Sequence, residues 1–191
     1  MSKQFILFFL ITIFITNLCY SQDPNWKHQI EGEISAQLPG GDFKNLTELN
    51  TGFGGSLSYF YRVSNNLFVS ASVGYYDFVL GLSKGTFNSI PLLIGLKYNL
   101  VTKGVQPYLG IEGGIYFFKS TINNVLYKDD STRFGIVPKF GVRIPIEDGL
   151  DVDFSAKFHQ MLNFDPSLNF FGINLGLSYT IDRIKKESNK K

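Results

Sequence analysis

The stretch TGFGGSLSYFYRVSNNLFVSASVGYYDF, residues 51–78, decides the fold, because apolar side chains recur in it at almost every second position. The alternation stops at the polar link Ser64-Asn65-Asn66 and then resumes. A period of two is typical of a β-strand whose two faces differ, and a short polar link between two such runs is typical of a hairpin. The stretch therefore predicts two strands with one apolar face and one face of small and polar residues. The apolar positions are Phe53, Leu57, Tyr59, Tyr61, Val63, Leu67, Val69, Ala71, Val73 and Tyr75.

The same alternation predicts six further strands in the rest of the chain. It is clearest from Leu150 to His159, where apolar residues at even positions alternate without exception with polar or charged residues at odd positions. The eight predicted strands cover residues 28–38, 51–63, 67–78, 87–100, 106–117, 133–144, 150–159 and 169–181.

The links between these strands alternate in length. Short links at 64–66, 102–104 and 145–149 follow the second, fourth and sixth strands, whereas long polar links fill 39–50, 81–86, 119–131 and 161–168. The long links therefore gather at one end of an up-and-down meander. Closing such a meander leaves no strand edge unpaired, so the sequence predicts an all-β fold, an eight-stranded antiparallel up-and-down β-barrel.

The orientation of the apolar face follows from size. An eight-stranded barrel has an interior just wide enough for side chains or one small ligand. Five bulky apolar residues on each strand would overfill it, whereas Gly and Ser would fit, and Gly on a solvent-facing strand surface weakens the strand without adding packing. The apolar face is therefore predicted to point outward into lipid, which makes the barrel transmembrane. Aromatic girdles are expected near the strand ends, at Tyr61, Tyr75, Tyr98, Phe117, Phe158, Phe171 and Tyr179.

The inward positions then carry acids and bases in equal number. A buried charge without a partner costs several kcal/mol, so these side chains are expected to form ion pairs across the interior. His159 is expected to join them as a structural histidine bonded to a carboxylate. The predicted network consists of Glu31, Glu33, Arg62, Lys97, Glu112, Lys139, Arg143, Asp151, Asp153, Lys157 and His159.

Reactive side chains give little sign of catalysis. Asp153, Ser155 and His159 share one strand face, but residues two apart on a strand are separated by about 7 Å, which is too far for the hydrogen bonds of a Ser-His-Asp triad. His28 lies near the opposite end of the barrel and cannot share a metal with His159. No catalytic, cofactor-binding or metal-binding residue is predicted.

The amino terminus is typical of a secretory signal peptide, with Lys3 followed by an apolar run and a small residue at Ser21. Cleavage after Ser21 would give a lead at 22–27, a barrel at 28–181 and a basic periplasmic tail at 182–191, and would remove the single cysteine, Cys19. A membrane anchor needs about 17 to 25 apolar residues, more than this run provides. Lipidation of Cys19 is a second alternative, although Leu18 is larger than the residue expected before a lipidated cysteine.

Composition excludes a nucleic-acid partner. The net charge is only +2 over 191 residues, whereas nucleic-acid binders concentrate Lys and Arg on one face.

Several motifs resemble the small eight-stranded outer-membrane barrels of Gram-negative bacteria, in the OmpA/OmpX style, and the barrel-domain proteins common in Bacteroidetes. They are Tyr20-Ser21-Gln22, TGFGGSLSY at 51–59, VGYY at 73–76, PYLGIEGG at 107–114 and FGINLGLSY at 171–179. The resemblance implies a monomer in the cell outer membrane, with outer-membrane lipid, lipopolysaccharide, periplasmic chaperones and the barrel-assembly machinery as partners. The family often ends on the aromatic residue of its last strand, whereas this chain continues beyond Tyr179.

The predicted function is that of a porin-like barrel without enzyme activity. Its lumen is expected to be plugged by paired charges, with a structural role or a binding or adhesion role for surface loops such as 44–50 and 123–131. Two alternatives remain open: an enzyme acting on lipid A or phospholipid, and a small pore or carrier for hydrophobic solutes.

Overall fold

The computed structural model describes residues 27–41, 43–44, 51–80, 85–122, 125–127, 132–147, 149–162 and 168–181. The predicted signal peptide, most of the predicted lead, the predicted tail and parts of the long links lie outside these residues. Among the described residues, no helix has the length and apolar composition needed to cross a membrane.

Nine strands are described, and their bounds follow the alternation in the sequence. They are β1 (His28–Gly40), β2 (Gly52–Arg62), β3 (Leu67–Leu80), β4 (Gly85–Asn99), β5 (Gln106–Ile122), β6 (Val125–Tyr127), β7 (Thr132–Glu147), β8 (Leu150–Met161) and β9 (Asn169–Thr180).

Eight of the strands close into a barrel. Each pairs antiparallel with its neighbours in the order β1-β2-β3-β4-β5-β7-β8-β9, and β9 pairs back onto β1. Within the described residues, β6 pairs with the end of β5 alone, where Ile122 is opposite Val125. The predicted eight-stranded antiparallel barrel is confirmed, because closure gives every strand of the ring two partners.

The predicted link at 119–131 is partly wrong. β5 continues to Ile122 and β6 folds back on it, since polar side chains reduce strand propensity without preventing backbone pairing. The predicted turn at 145–149 is also too long, because β7 continues through a bulge between Pro145 and Glu147. The remaining turn contains Gly149, whose positive φ of 89° suits glycine.

The apolar face points outward, as predicted. Ile34, Phe53 and Ile94 on this face are 68%, 67% and 71% exposed, whereas Glu31 and Glu112 on the other face are each 2% exposed. Outward aromatic residues lie near both barrel ends: Tyr61, Tyr98 and Tyr179 at one, and Tyr75, Phe117, Phe158 and Phe171 toward the other. We call the first end, with the short links, the turn end, and the second the loop end.

Inside the wall, glycine allows close packing of neighbouring strands. A Cβ on Gly114 of β5 would lie 2.1 Å from the carbonyl oxygen of Leu92 on β4, so no larger residue fits without moving the backbone.

Two prolines interrupt the hydrogen-bond ladder. β3 and β4 pair at Val73–Leu92 and again at Tyr76–Ser89, with the pairing lost at Pro91 between them. β7 and β8 pair at Ile136–Gln160 and again at Lys139–Lys157, with the pairing lost at Pro138. Proline has no N–H to donate, so the Gly74 and Phe158 carbonyls opposite lose their ladder donors.

Candidate functional site in the barrel interior

The interior side chains form two layers of different chemistry. The charged layer occupies the turn-end half and the middle of the barrel. The aromatic layer occupies the loop-end half. The charged layer consists of Gln29, Glu31, Glu33, Lys97, Glu112, Lys139, Arg143, Asp153 and Lys157; the aromatic layer consists of Phe43, Tyr76, Phe78, Phe87, Tyr116, Phe118, His159 and Phe170.

The charged layer is balanced, with four buried acids and four buried bases. The acids are Glu31, Glu33, Glu112 and Asp153, and the bases are Lys97, Lys139, Arg143 and Lys157. Two other members of the predicted network, Asp151 and Arg62, lie at the edge of the charged layer. The Asp151 side chain is 14% exposed, and Arg62 is half-buried.

The middle of the charged layer is held by two lysine–glutamate pairs. Lys139 donates to Glu112, and Lys157 donates to Glu33. The hydroxyl of Ser56 also donates to Glu33, at 2.7 Å. Charge-assisted hydrogen bonds of this kind are roughly twice as strong as neutral ones, so both carboxylates have partners suited to their charge.

Glycine on β9 makes the Lys157–Glu33 pair possible. β9 lies between β1 and β8, and its inward position opposite Glu33 is Gly176. A Cβ there would lie 2.9 Å from the Glu33 Cγ. The missing side chain therefore leaves room for groups on β1 and β8 to meet over β9.

Arg143 reaches across the interior from β7 to β1. One guanidinium nitrogen donates to Glu31 at 2.8 Å and another to Gln29 at 2.5 Å. Its Nε lies 3.8 Å from an Asp153 oxygen, and the other Asp153 oxygen accepts from Tyr108 at 2.7 Å. This side chain therefore ties three strands together inside the barrel.

Lys97 is held differently from the other lysines. Its ammonium nitrogen lies 3.7 Å from the ring centroid of Phe60 and 5.0 Å from that of Tyr108, within the range of cation–π attraction. The nearest carboxylate oxygen, on Glu31, is 4.0 Å away. Within the described part of the chain, this nitrogen has no hydrogen-bond partner. Aromatic faces therefore supply much of its stabilisation.

The aromatic layer was not predicted from the sequence, which favoured a lumen of Gly, Ser and charges. Phe78 packs against Phe43 and Phe170, with ring centroids 5.0 and 5.2 Å apart. Phe43 comes from the long link after β1 and enters the barrel mouth, where it is 1% exposed. The alternation did contain a signal, because Tyr76 and Phe78 share the parity of the inward Ser70 and Ser72.

His159 belongs to the aromatic layer, and the expected carboxylate partner is wrong. Its Nδ1 lies 2.8 Å from the Tyr116 hydroxyl, and its ring stacks on Phe170 at 4.3 Å. His159 is the next inward-facing residue of β8 after Lys157 in the direction of the loop end. Lys157 already pairs with Glu33. The Nε2 has no hydrogen-bond partner among the described residues.

The three residues considered as a triad have separate partners. Asp153 accepts from Tyr108, Ser155 donates to Glu33 at 3.2 Å, and His159 bonds to Tyr116. The Ser155 hydroxyl is thus bonded to Glu33 on β1, and the Nδ1 of His159 is bonded to Tyr116 in the aromatic layer. This geometry is not that of an activated nucleophile.

Three carboxylates come close enough to hold a cation. Oxygens of Glu31, Glu33 and Asp153 lie within 4.8 Å of one another. Protein cations already neutralise this group, since Arg143 contacts Glu31 and Lys157 contacts Glu33. The donor set is therefore an ion-pair network, and it does not fit a metal site.

Comparison with solved structures places this architecture among outer-membrane barrels. Neisserial surface protein A is 15% identical, with a TM-score of 0.65 over 81% of this chain and 97% of that chain. The attachment invasion locus protein Ail of Yersinia pestis is 14% identical, with a TM-score of 0.58 over 82% and 99%. The outer membrane enzyme PagL is 13% identical, with a TM-score of 0.50 over 78% and 99%.

Sequence comparison identifies the family. No curated protein matches the chain. The family model described as the outer membrane protein beta-barrel domain matches residues 20–180, which include every strand of the ring. The predicted resemblance to outer-membrane barrels is confirmed, and this chain belongs to the outer membrane protein beta-barrel domain family.

Proposed function

We propose that this protein is an outer-membrane barrel without enzyme activity, whose lumen is closed to solutes and which acts through its loop end at the cell surface. The observation that carries the proposal is the continuous filling of the interior. Glu31, Lys97, Arg143, His159 and Phe170, spread over both layers, are each at most 2% exposed.

The cross-lumen bonds support closure by the charged layer. Arg143 and Lys157 contact acids on β1, although neither β7 nor β8 is adjacent to β1. An ion moving through the lumen would have to separate these pairs. Breaking a buried pair by removing one partner costs about 3–5 kcal/mol, so open states with separated pairs are rare.

The orientation follows from the link lengths. Bacterial barrels have short periplasmic turns and longer extracellular loops. The turn end then faces the periplasm and the loop end faces the medium. Loops held on a rigid barrel are suited to binding, and such binding, adhesion or a purely structural role is what we propose for this protein.

A protein with this orientation in the outer membrane must also be exported and assembled there. We propose cleavage after Ser21, periplasmic chaperones and the barrel-assembly machinery as partners during biogenesis, and a monomer surrounded by outer-membrane lipid and lipopolysaccharide. A monomer agrees with the closed ring, because closure leaves no edge strand in the ring that could pair with another chain.

Conductance in planar lipid bilayers tests closure. The purified protein is expected to give no discrete channels at neutral pH. A variant opened in both layers, with Glu33→Ser, Arg143→Ser and Lys157→Ser in the charged layer and Phe170→Ala in the aromatic layer, is expected to conduct if it still shows the heat-dependent gel mobility of a folded barrel. Stable channels in the natural protein would contradict the proposal.

The similarity to PagL favours one second candidate, an enzyme acting on a membrane lipid. Lipid extracts from cells with and without the protein, analysed by mass spectrometry, test it. We expect identical lipid profiles. A modified lipid that disappears in the His159→Asn or Ser155→Ala variant would favour the enzyme.

A further inference from the structure

Toward the loop end, the described part of the lipid-facing wall carries one acidic and one basic residue. Among the outward-facing strand positions that the structure describes, and apart from His28 and Glu147 at the turn end, Asp77 on β3 and Lys119 on β5 are the only acidic or basic residues. Charged side chains on the lipid face of a barrel destabilise it in a depth-dependent way. The depth of these two residues therefore decides which part of the membrane they can contact.

Both charges lie in one row across the strands. Phe53 on β2 pairs with Asp77, Asp77 pairs with Asn88 on β4, and Asn88 pairs with Lys119. With strands about 4.8 Å apart, these four residues span roughly 14 Å across the wall. We call this set the outer row.

The polar groups of the outer row are held in place. The Asn88 amide donates to Asp77 at 2.7 Å and to the Tyr75 hydroxyl at 2.6 Å. This arrangement fixes the carboxylate beside an exposed aromatic ring. Lys119 is exposed at the other end of the row, so its ammonium group faces the membrane surroundings.

The depth of the outer row corresponds to lipid headgroups. Tyr75 and Phe117, which belong to the loop-end aromatic band, each lie two residues closer to the barrel middle than Asp77 and Lys119. Two residues correspond to about 7 Å along a strand. Aromatic bands mark the membrane interfaces, so the outer row lies just beyond that interface.

The chemistry of the row suits a phosphorylated sugar. An ammonium group binds phosphate as a compact charge, and a fixed carboxylate accepts hydrogen bonds from hydroxyl groups. Phe53, 67% exposed, and Tyr75, 50% exposed, offer flat apolar faces beside it. A glycerophospholipid headgroup offers a phosphate but no sugar ring that would use the rest of the row.

We propose that the outer row, Phe53, Asp77, Asn88 and Lys119, binds the phosphorylated sugar headgroup of a glycolipid in the outer leaflet. This inference rests on the proposed function for the orientation of the loop end. It identifies a lipid-binding surface on the outside of the barrel, separate from the interior layers.

Native mass spectrometry of the full mature chain in detergent tests the proposal, with diphosphorylated lipid A as the probe. Lys119→Ala is expected to weaken lipid A binding about ten-fold, since hydrogen bonds to charged groups contribute about 1.5–3 kcal/mol. Lys119→Arg is expected to retain most of the binding. The matched control is Lys103→Ala, which removes a lysine from the opposite rim in the turn between β4 and β5.

Two further comparisons make the result specific. Asp77→Asn is expected to weaken lipid A binding less than Lys119→Ala does, and phosphatidylglycerol is expected to bind at least ten-fold more weakly than lipid A. Equal losses in Lys119→Ala and Lys103→Ala, unchanged binding in Lys119→Ala, equal affinity for phosphatidylglycerol, or no lipid A binding would each overturn the proposal. The assay does not depend on a closed lumen, so its failure is distinct from channel activity in the bilayer test.

Discussion

The charged layer and the aromatic layer lie in the same lumen but are stabilised by different interactions. Lys157 and Arg143 meet specific oxygens on β1, so their contribution depends on geometry and on the presence of both partners. Phe78 and Phe170 contribute buried apolar area, which is not directional. Substitutions in the charged layer should therefore depend on the partner, whereas those in the aromatic layer should follow volume.

The largest effect is expected for Lys157→Met. This change leaves Glu33 buried without its lysine, and the free energy of unfolding should fall by about 4 kcal/mol. Urea unfolding in lipid vesicles, followed by gel mobility, measures it. The double variant Glu33→Gln and Lys157→Met should recover much of the loss; a double variant whose loss equals the sum of the two single losses would show that the partners are not coupled.

A somewhat smaller loss, about 3 kcal/mol, is expected for Phe170→Ala, because truncating a buried phenylalanine leaves a cavity. The same unfolding assay applies. Its control, Phe140→Ala, truncates a lipid-facing ring that is 58% exposed and should cost clearly less. Phe170→Ala should also remain without channels, since the charged layer is intact; conductance would mean that the aromatic layer alone closes the lumen.

A loss of only about 1 kcal/mol is expected for Lys97→Met. Glu31 keeps its 2.8 Å bond to Arg143, so no carboxylate is left without a cation, and an apolar side chain of similar volume is tolerated in this position between rings. Lys157→Met is the matched comparison within the charged layer. A cost as large as that of Lys157→Met would show that Lys97 is not held mainly by its aromatic neighbours.

The smallest effect is a gain, for Pro138→Val at the boundary between the layers. Pro138 lies between Val137, which packs in the aromatic layer, and Lys139 of the charged layer. Valine restores an N–H opposite the Phe158 carbonyl and should raise the free energy of unfolding by about 0.5 kcal/mol. Slower amide hydrogen exchange at residue 160, which flanks the repaired pairing, would accompany it. Lower stability or faster exchange would indicate that the interrupted ladder is needed for packing.

The sequence predicted the wall of the barrel better than its interior. Alternation in residues 51–78 and 150–159 assigns each side chain to a face, and link lengths order the strands, so closure and the outward apolar face followed. The inward acids and bases were recognised for the same reason. None of this required knowledge of which strands face each other across the lumen.

Contacts across the lumen could not be predicted in this way. They depend on the stagger of the closed barrel, which no single strand encodes, so His159 was expected beside a carboxylate and is found beside Tyr116. The inward rings of Tyr76 and Phe78 were missed, because the same strand face also carries Ser70, Ser72 and Gly74. Phe43 comes from a link whose composition gave no sign that it enters the barrel.

Closure of the lumen by both layers is the central claim, and thiol labelling of folded protein in lipid vesicles tests it most directly. The chain would begin at Gln22, so that Cys19 is absent. Ser70→Cys places a thiol inside, where Ser70 is 2% exposed and bonded to Glu112, and Asn65→Cys places one in an exposed turn. We expect a water-soluble maleimide to label Asn65→Cys promptly and Ser70→Cys only after unfolding. Equal labelling of the two folded variants would show an open, water-filled lumen and contradict the account.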